Sequence, residues 1–260
     1  MEMKNKKALI TGASGGIGKA IALTLARMGV QVLIHYHTQE NEARDVATDI
    51  MAKGGEADII SADLSNADEV ITLVEQSWKK LDGFDFLINN AGVSYKKHFL
   101  DTTIADIDHF ININFKGTLL LTQGIARKMI ERSIEGSIST ITSINGLQPG
   151  VGLSVYGSSK GALETLMKGV ALELAPHNIN VNTFAVGAIQ TSMNADTWQD
   201  SEKLKLVTSN IPLGRLGQPE EIASVICNLL AAGTYMTGAT ITIDGGWTLK
   251  HGYTNPKPYK

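Results

Sequence analysis

Tyr156 and Lys160 stand four apart in the run Ser154-Val155-Tyr156-Gly157-Ser158-Ser159-Lys160. On a helix they share one face and meet. A phenol beside a fixed ammonium is a proton donor made easier to ionise, because the positive charge favours phenolate and pulls the tyrosine pKa below its usual value of about 10. Ser143 follows a strand-like run, Ser137-Ile138-Ser139-Thr140-Ile141-Thr142, and is placed to bring a hydroxyl next to that phenol. Together the three read as a site that hydrogen-bonds a carbonyl oxygen and protonates it. A Tyr-xxx-Lys pair alone is equally a feature of a solvated helix face, so its meaning depends on the elements that position it.

The first of these is Lys7-Ala8-Leu9-Ile10-Thr11, an apolar run that breaks into Gly12-Ala13-Ser14-Gly15-Gly16-Ile17-Gly18. A helical pattern follows, with Ile17, Ile21, Leu25 and Met28 on one side and Gly29 at the end. Strand, glycine turn and helix open a dinucleotide-binding βαβ unit. In it Gly12 permits the turn, Gly16 lets backbone approach a diphosphate, and Gly18 permits close helix packing. A merely flexible turn is the plainer alternative, but the strand before and the helix after favour the cofactor. Residues 30–36 read as the second strand, which ends Tyr36-His37-Thr38 with the first acid only at Glu40. The carboxylate that holds the ribose hydroxyls of NAD in this fold is thus missing, which removes a repulsion against a 2′-phosphate and leans the assignment to NADP(H) over NAD(H). His35 and His37 share one strand face. With no third ligand in view they read as surface or cofactor-rim histidines, and no metal is assigned.

Residues 57–61 form the third strand, followed by Asp63-Leu64. On its own, Asp63 reads as a turn or helix-capping carboxylate. A helix over 67–81 and a buried parallel strand over 84–88 lead into Asn89-Asn90-Ala91-Gly92, whose amides and small residues let a ribose approach. Asn114 falls in one long helical pattern over about 105–132. The helix of Tyr156 continues through Leu163, Met167 and Leu174 to Pro176. A strand over 179–184, a polar segment over 188–211 carrying Met193 and Trp198, a helix opening at Pro219, and a last strand before Asp244-Gly245-Gly246 complete the pattern. The polar segment reads as a lid over substrate or as a small helix packed on the core. Strands alternating with helices throughout predict a doubly wound parallel α/β sheet of Rossmann type in one domain, with the ligand at the strands' carboxyl ends.

Thr11-Gly12-xxx-Gly16-Ile17-Gly18, Asn89-Asn90-Ala91-Gly92, Asn114, Ser143 with Tyr156-xxx-Lys160, and the closing Asp244-Gly245-Gly246 resemble, in order and spacing, the short-chain dehydrogenase/reductase family over about residues 6–246. The resemblance implies hydride transfer between nicotinamide and a carbonyl or secondary alcohol. Tyr156 is then acid and base, Lys160 lowers its pKa and binds the nicotinamide ribose, Ser143 polarises the carbonyl, and Asn114 supports a water that relays protons to Lys160. It further implies cofactor contacts at Gly12, Ser14, Gly16, Ile17, Gly18, Tyr36, His37, Asp63 (to the adenine amine), Leu64, Asn90, Ala91, Gly92, Gly187, Ile189 and Thr191. Relatives continue the strand over 179–184 with Pro-Gly, where this chain has Val186-Gly187, so the turn that holds the carboxamide is less pre-set. Basic residues found in many NADP-dependent relatives are replaced by Gly15 and His37.

The nearest likeness is to 3-oxoacyl-acyl-carrier-protein reductases, which implies a carbonyl or acyl-thioester substrate and an acyl carrier protein as partner. Leu172 stands where such enzymes carry a basic residue, and the ending is that of general dehydrogenases. A sugar, polyol or small-alcohol dehydrogenase is therefore a close competitor, and a non-catalytic dinucleotide sensor is the alternative of another class. Relatives imply a homotetramer built on the helices near 105–132 and 155–175.

The 260 residues carry a net charge of −3, which points to neither nucleic acid nor an anionic membrane. The single cysteine, Cys227, excludes an internal disulfide and reads as a buried thiol. No apolar run reaches the roughly 20 residues of a membrane span and no signal-peptide pattern opens the chain, so a cytoplasmic location is expected. The basic tail over 248–260 is either frayed or laid on a neighbouring subunit.

Overall fold

Seven short strands set the frame of the computed structural model, which describes residues 2–233 and 235–250. They are β1 (Lys7–Ile10), β2 (Gln31–Tyr36), β3 (Ala57–Ser61), β4 (Phe86–Asn89), β5 (Ser137–Ser143), β6 (Asn180–Val186) and β7 (Thr240–Ile243). All pair in parallel, in the order β3-β2-β1-β4-β5-β6-β7. Parallel neighbours require crossovers, and these are helical. Side chains along β1 alternate between two cores: Ala8 and Ile10 face the cluster that contains Ile21, Val46 and Ile226, and Leu9 faces the one that contains Leu73, Leu121 and Leu163. The strands can therefore be apolar throughout, because both faces are covered.

The covering helices are α1 (Gly16–Arg27), α2 (Glu40–Ala52), α3 (Ala67–Leu81), α4 (Ile104–Phe110), α5 (Thr118–Glu131), α6 (Ser154–Leu174), α7 (Ala195–Trp198), α8 (Ser201–Thr208) and α9 (Pro219–Ala232). Asn66 caps α3 through the amides of Asp68 and Glu69, and Pro219 opens α9 at a position that needs no amide. The pattern over 105–132 is not one uniform helix: residues Ile111–Gly117 form a π-helical stretch between α4 and α5. Residues 188–211 hold short helical turns. Trp198 Nε1 ties α7 to the Thr191 carbonyl at 2.8 Å. Of the tail, Trp247–Leu249 form a single 3-10 turn, and residues 251–260 lie outside the described residues. No helix among the described residues is long and apolar enough to cross a membrane.

The order in which strands are added reverses at β1: β2 and β3 lie on one side of it and β4 to β7 on the other. The crevice beyond the carboxyl ends of β1 and β4 is where this architecture takes a ligand. The glycine turn, residues 90–92, Ser143 and Val186 all leave the sheet on that side.

Candidate active site

The turn after β1 is locked to the end of β4. Thr11 Oγ1 accepts from the amides of Asn90 (2.9 Å) and Ala91 (3.0 Å), while Asn90 Nδ2 donates to the carbonyls of Thr11 (2.9 Å) and Gly12 (3.0 Å). Gly12 adopts φ +60, and a Cβ there would come within 3.0 Å of Ala91 Cα. A Cβ at Gly18 would lie 2.5 Å from both Asn90 Nδ2 and the Gly12 carbonyl, so the close packing predicted for this glycine is against the asparagine motif. Gly15 gives α1 no side-chain cap and its first turn carries no acid. Its first amides thus face the crevice with the positive end of the helix dipole, which suits a diphosphate. Thr191 closes the other side, with its methyl 3.3 Å from where a Gly16 Cβ would be.

Beneath this turn lies His35. It is not the surface or rim histidine that its strand position predicts, but is buried with both ring nitrogens engaged. The Gly12 amide donates to Nδ1 (3.2 Å) and Nε2 donates to the Ala62 carbonyl (3.1 Å). Burial holds its pKa down at about 4, so the ring is neutral and in one tautomer. Tyr36 is buried at the end of β2, and His37 stands 3.8 Å from Asp63. The Asp63 carboxylate accepts from the amide and hydroxyl of Ser65, which is the turn role its sequence position allows. These bonds and His37 hold its pKa below the ordinary value against the opposing effect of burial. Leu64 is fixed by Gly117, where a Cβ would strike the Leu64 carbonyl at 2.1 Å. No acid follows β2 before Glu40, which pairs with Arg44, and Ser14 Oγ donates to Gln39 across the crevice edge.

The tetrad converges past the end of β4. Lys160 is buried and donates to the Ile141 carbonyl (3.2 Å); burial lowers its pKa to about 8. Asn114 is fully buried, with Oδ1 accepting from the Val93 amide (2.8 Å) and Nδ2 donating to the Val93 carbonyl (3.0 Å) and Ser159 Oγ (3.1 Å). Its side chain thus holds the loop after Gly92 against α6. A Cβ at Gly92 would lie 3.0 Å from Asn114 Oδ1 and 3.1 Å from Lys160 Nζ, so glycine lets the three pack closely.

Tyr156 is half-buried on α6, with the side chains of Ser143 and Ser94 near its phenol. Burial pushes its pKa above the ordinary value, with the two serines pulling against it. The downward pull expected from Lys160 is not what dominates. A protonated phenol, ready to act as an acid, is the outcome at neutral pH. Ser94 carries no sequence signal, since its place near the phenol arises from where the loop after β4 folds back, whereas Asn145 belongs to the short turn that Ser143 caps. Asn145 donates to Ser143 Oγ from its amide (3.2 Å) and from Nδ2 (3.3 Å).

The loop after β6, which lacks a proline, is tied by backbone hydrogen bonds. Gly217 donates to the Ala188 carbonyl (3.0 Å) and Gln190 donates to that of Gly217 (2.9 Å), a bridge that holds Ile189. Gly187 packs on Asp244, where a Cβ would meet Cα at 2.8 Å. Cys227 is buried, its thiol pushed up to about 12 by burial, and is inert.

A doubly wound sheet with a phosphate-type glycine turn and a Ser-Tyr-Lys cluster at its switch point defines a nicotinamide-dependent oxidoreductase. The chain belongs to the short-chain dehydrogenase/reductase family, an oxidoreductase family acting on alcohols and carbonyls that binds NAD(P). A family model described as Enoyl-(Acyl carrier protein) reductase matches residues 12–248. A 3-oxoacyl-[acyl-carrier-protein] reductase of Synechocystis sp. is 37% identical, covering 93% of this chain and 96% of the relative. A glucose 1-dehydrogenase of Gluconobacter oxydans is 36% identical, covering 96% and 94%. The crystal structure of acetoin dehydrogenase from Enterobacter cloacae superposes with a TM-score of 0.88 at 36% identity, covering 97% of this chain and 99% of that one.

Proposed function

We propose that the chain reduces a 3-oxoacyl thioester to the 3-hydroxyacyl product, reversibly, with NADP(H). The observation that carries the chemistry is the convergence of Ser143, Tyr156 and Lys160 beside the glycine turn. Bound reduced nicotinamide supplies the hydride that adds to the carbonyl carbon. Tyr156 gives its proton to the carbonyl oxygen as the C=O π pair moves onto it, and takes the proton back in the oxidative direction. Ser143 donates a hydrogen bond to the same oxygen. Lys160 holds the nicotinamide ribose and offsets the phenolate charge. Gly12, Ser14, Gly16, Ile17 and Gly18 cradle the diphosphate, Tyr36, His37, Asp63 and Leu64 the adenosine end, Asn90, Ala91 and Gly92 the ribose, and Gly187, Ile189 and Thr191 the carboxamide. The missing acid after β2 supports NADP(H) over NAD(H). Residues 188–211 act as the lid, and four copies assemble into a homotetramer.

A second reading, a sugar, polyol or small secondary alcohol as substrate, is favoured by Leu172. It is 79% exposed on α6, where an acidic carrier protein would meet a basic residue. Initial rates with NADPH and NADH on acetoacetyl thioester and on diacetyl, for wild type and Tyr156→Phe, separate the two. Faster turnover of the thioester with NADPH, falling about a thousandfold in the variant, supports the first reading. Turnover of diacetyl alone supports the second, and cofactor binding with no turnover on any carbonyl or alcohol would make the chain a sensor.

A further inference from the structure

The short turn that follows Ser143 is seated on α6. A Cβ at Gly157 would strike the Asn145 carbonyl, and one at Gly161 would lie 2.9 Å from the Gly146 carbonyl. These two glycines directly follow Tyr156 and Lys160, so the turn rests beside the residues that carry the proton chemistry. Asn145 is half-buried here, and its side-chain amide reaches in two directions. Oδ1 accepts from the Gly150 amide at 3.0 Å, and Nδ2 donates to Ser143 Oγ at 3.3 Å. A backbone N–H can only donate. The Gly150 bond therefore settles which end of the side chain is oxygen, and it leaves the NH2 end on Ser143.

The backbone amide of Asn145 donates to the same Ser143 oxygen, at 3.2 Å. A serine hydroxyl has two lone pairs and one proton. Both lone pairs are taken by N–H groups of Asn145, so the hydroxyl can act only as a donor. That is the polarity carbonyl reduction needs, because the substrate oxygen accepts hydrogen bonds and gains negative charge as hydride arrives. Without the Nδ2 bond one lone pair would be free, and the hydroxyl could accept from the nearby phenol instead of donating to the substrate. We propose that Asn145 is a positioning residue for the reaction: its side-chain amide fixes Ser143 as a hydrogen-bond donor to the substrate oxygen.

The proposal rests on Ser143 as the group that polarises the carbonyl, so the test compares variants at both positions. The measurement is the initial rate of NADPH-dependent reduction of acetoacetyl thioester or diacetyl, whichever turns over. Ser143→Ala should lower kcat about a hundredfold. Asn145→Asp keeps an acceptor for the Gly150 amide but presents Ser143 with an acceptor in place of a donor, which turns the hydroxyl toward the carboxylate. Its kcat should fall about as far, with KM within about threefold of wild type. Asn145→Ala removes one N–H and should lower kcat about tenfold. In the Ser143→Ala background that tenfold loss should vanish, because Asn145 acts through the hydroxyl. A wild-type kcat in Asn145→Asp, or an undiminished loss from Asn145→Ala when the hydroxyl is absent, would overturn the proposal, while a slow Ser143→Ala leaves the polarising role standing. Ser143→Ala at the wild-type rate would overturn both.

Discussion

His35 links the cofactor turn to stability through a single proton. Its ring accepts from the Gly12 amide only while neutral, and burial keeps it neutral down to about pH 4. In the unfolded chain the same ring takes up a proton near pH 6.5. Between those values the unfolded state binds more protons than the fold. The stabilisation is therefore complete above pH 6.5, is lost as pH falls through the window, and declines no further below about 4. From pH 7 to pH 5 this amounts to about 2 kcal/mol. Urea unfolding at the two pH values should show that loss in wild type and a smaller one in His35→Asn. Equal pH sensitivity in the two proteins would remove His35 as the cause. The alternation of β2 places His35 and His37 on one face, but alternation alone does not say that this face lies under the glycine turn. A buried polar ring is recognisable only from its partners, and those come from the turn after β1 and from the residue after β3.

The rod from α4 to α5 exposes a limit of periodicity as a guide. A 3.6-residue pattern finds the helix and its buried stripe, but one extra residue in a turn leaves the apolar residues almost where a uniform helix has them. The π-helical stretch is therefore invisible in the pattern, although it carries Asn114 and ends at Gly117. That glycine lets the rod press on the end of β3. Gly117→Ala would drive a Cβ into the Leu64 carbonyl, the backbone would have to yield, and the displacement would fall on the segment that carries Asn114. The expected cost is about 2–3 kcal/mol in urea unfolding, with weakened NADPH binding by fluorescence titration. A variant as stable as wild type would show that the approach is softer than its geometry. The strand-turn-helix opening, the asparagine motif and the Tyr-xxx-Lys helix were legible because each depends on short-range spacing. The placement of Ser94 near the phenol was not, because the loop after β4 and the start of α6 are distant in sequence.

At the scale of the whole chain, the sheet and its two cores satisfy the apolar content well, yet one stretch does not bury its own. Phe99, Leu100, Ile104 and Ile107 are 73%, 92%, 78% and 42% exposed. Ile104 and Ile107 stand three apart on α4 and so share a face. Isolated exposed apolar residues need no explanation, but a cluster within nine positions marks a surface that another protein covers. A second copy is the partner that the proposed tetramer supplies, and α4 belongs to the rod on which that assembly is built. Light scattering should therefore give four times the 27.9 kDa chain mass. Ile104→Glu with Ile107→Glu should lower that mass while far-UV circular dichroism stays unchanged, since neither residue contributes to either core. A monomeric wild type would defeat the assembly outright. A tetramer that persists in the double variant would move the interface elsewhere and leave this apolar face to a different partner.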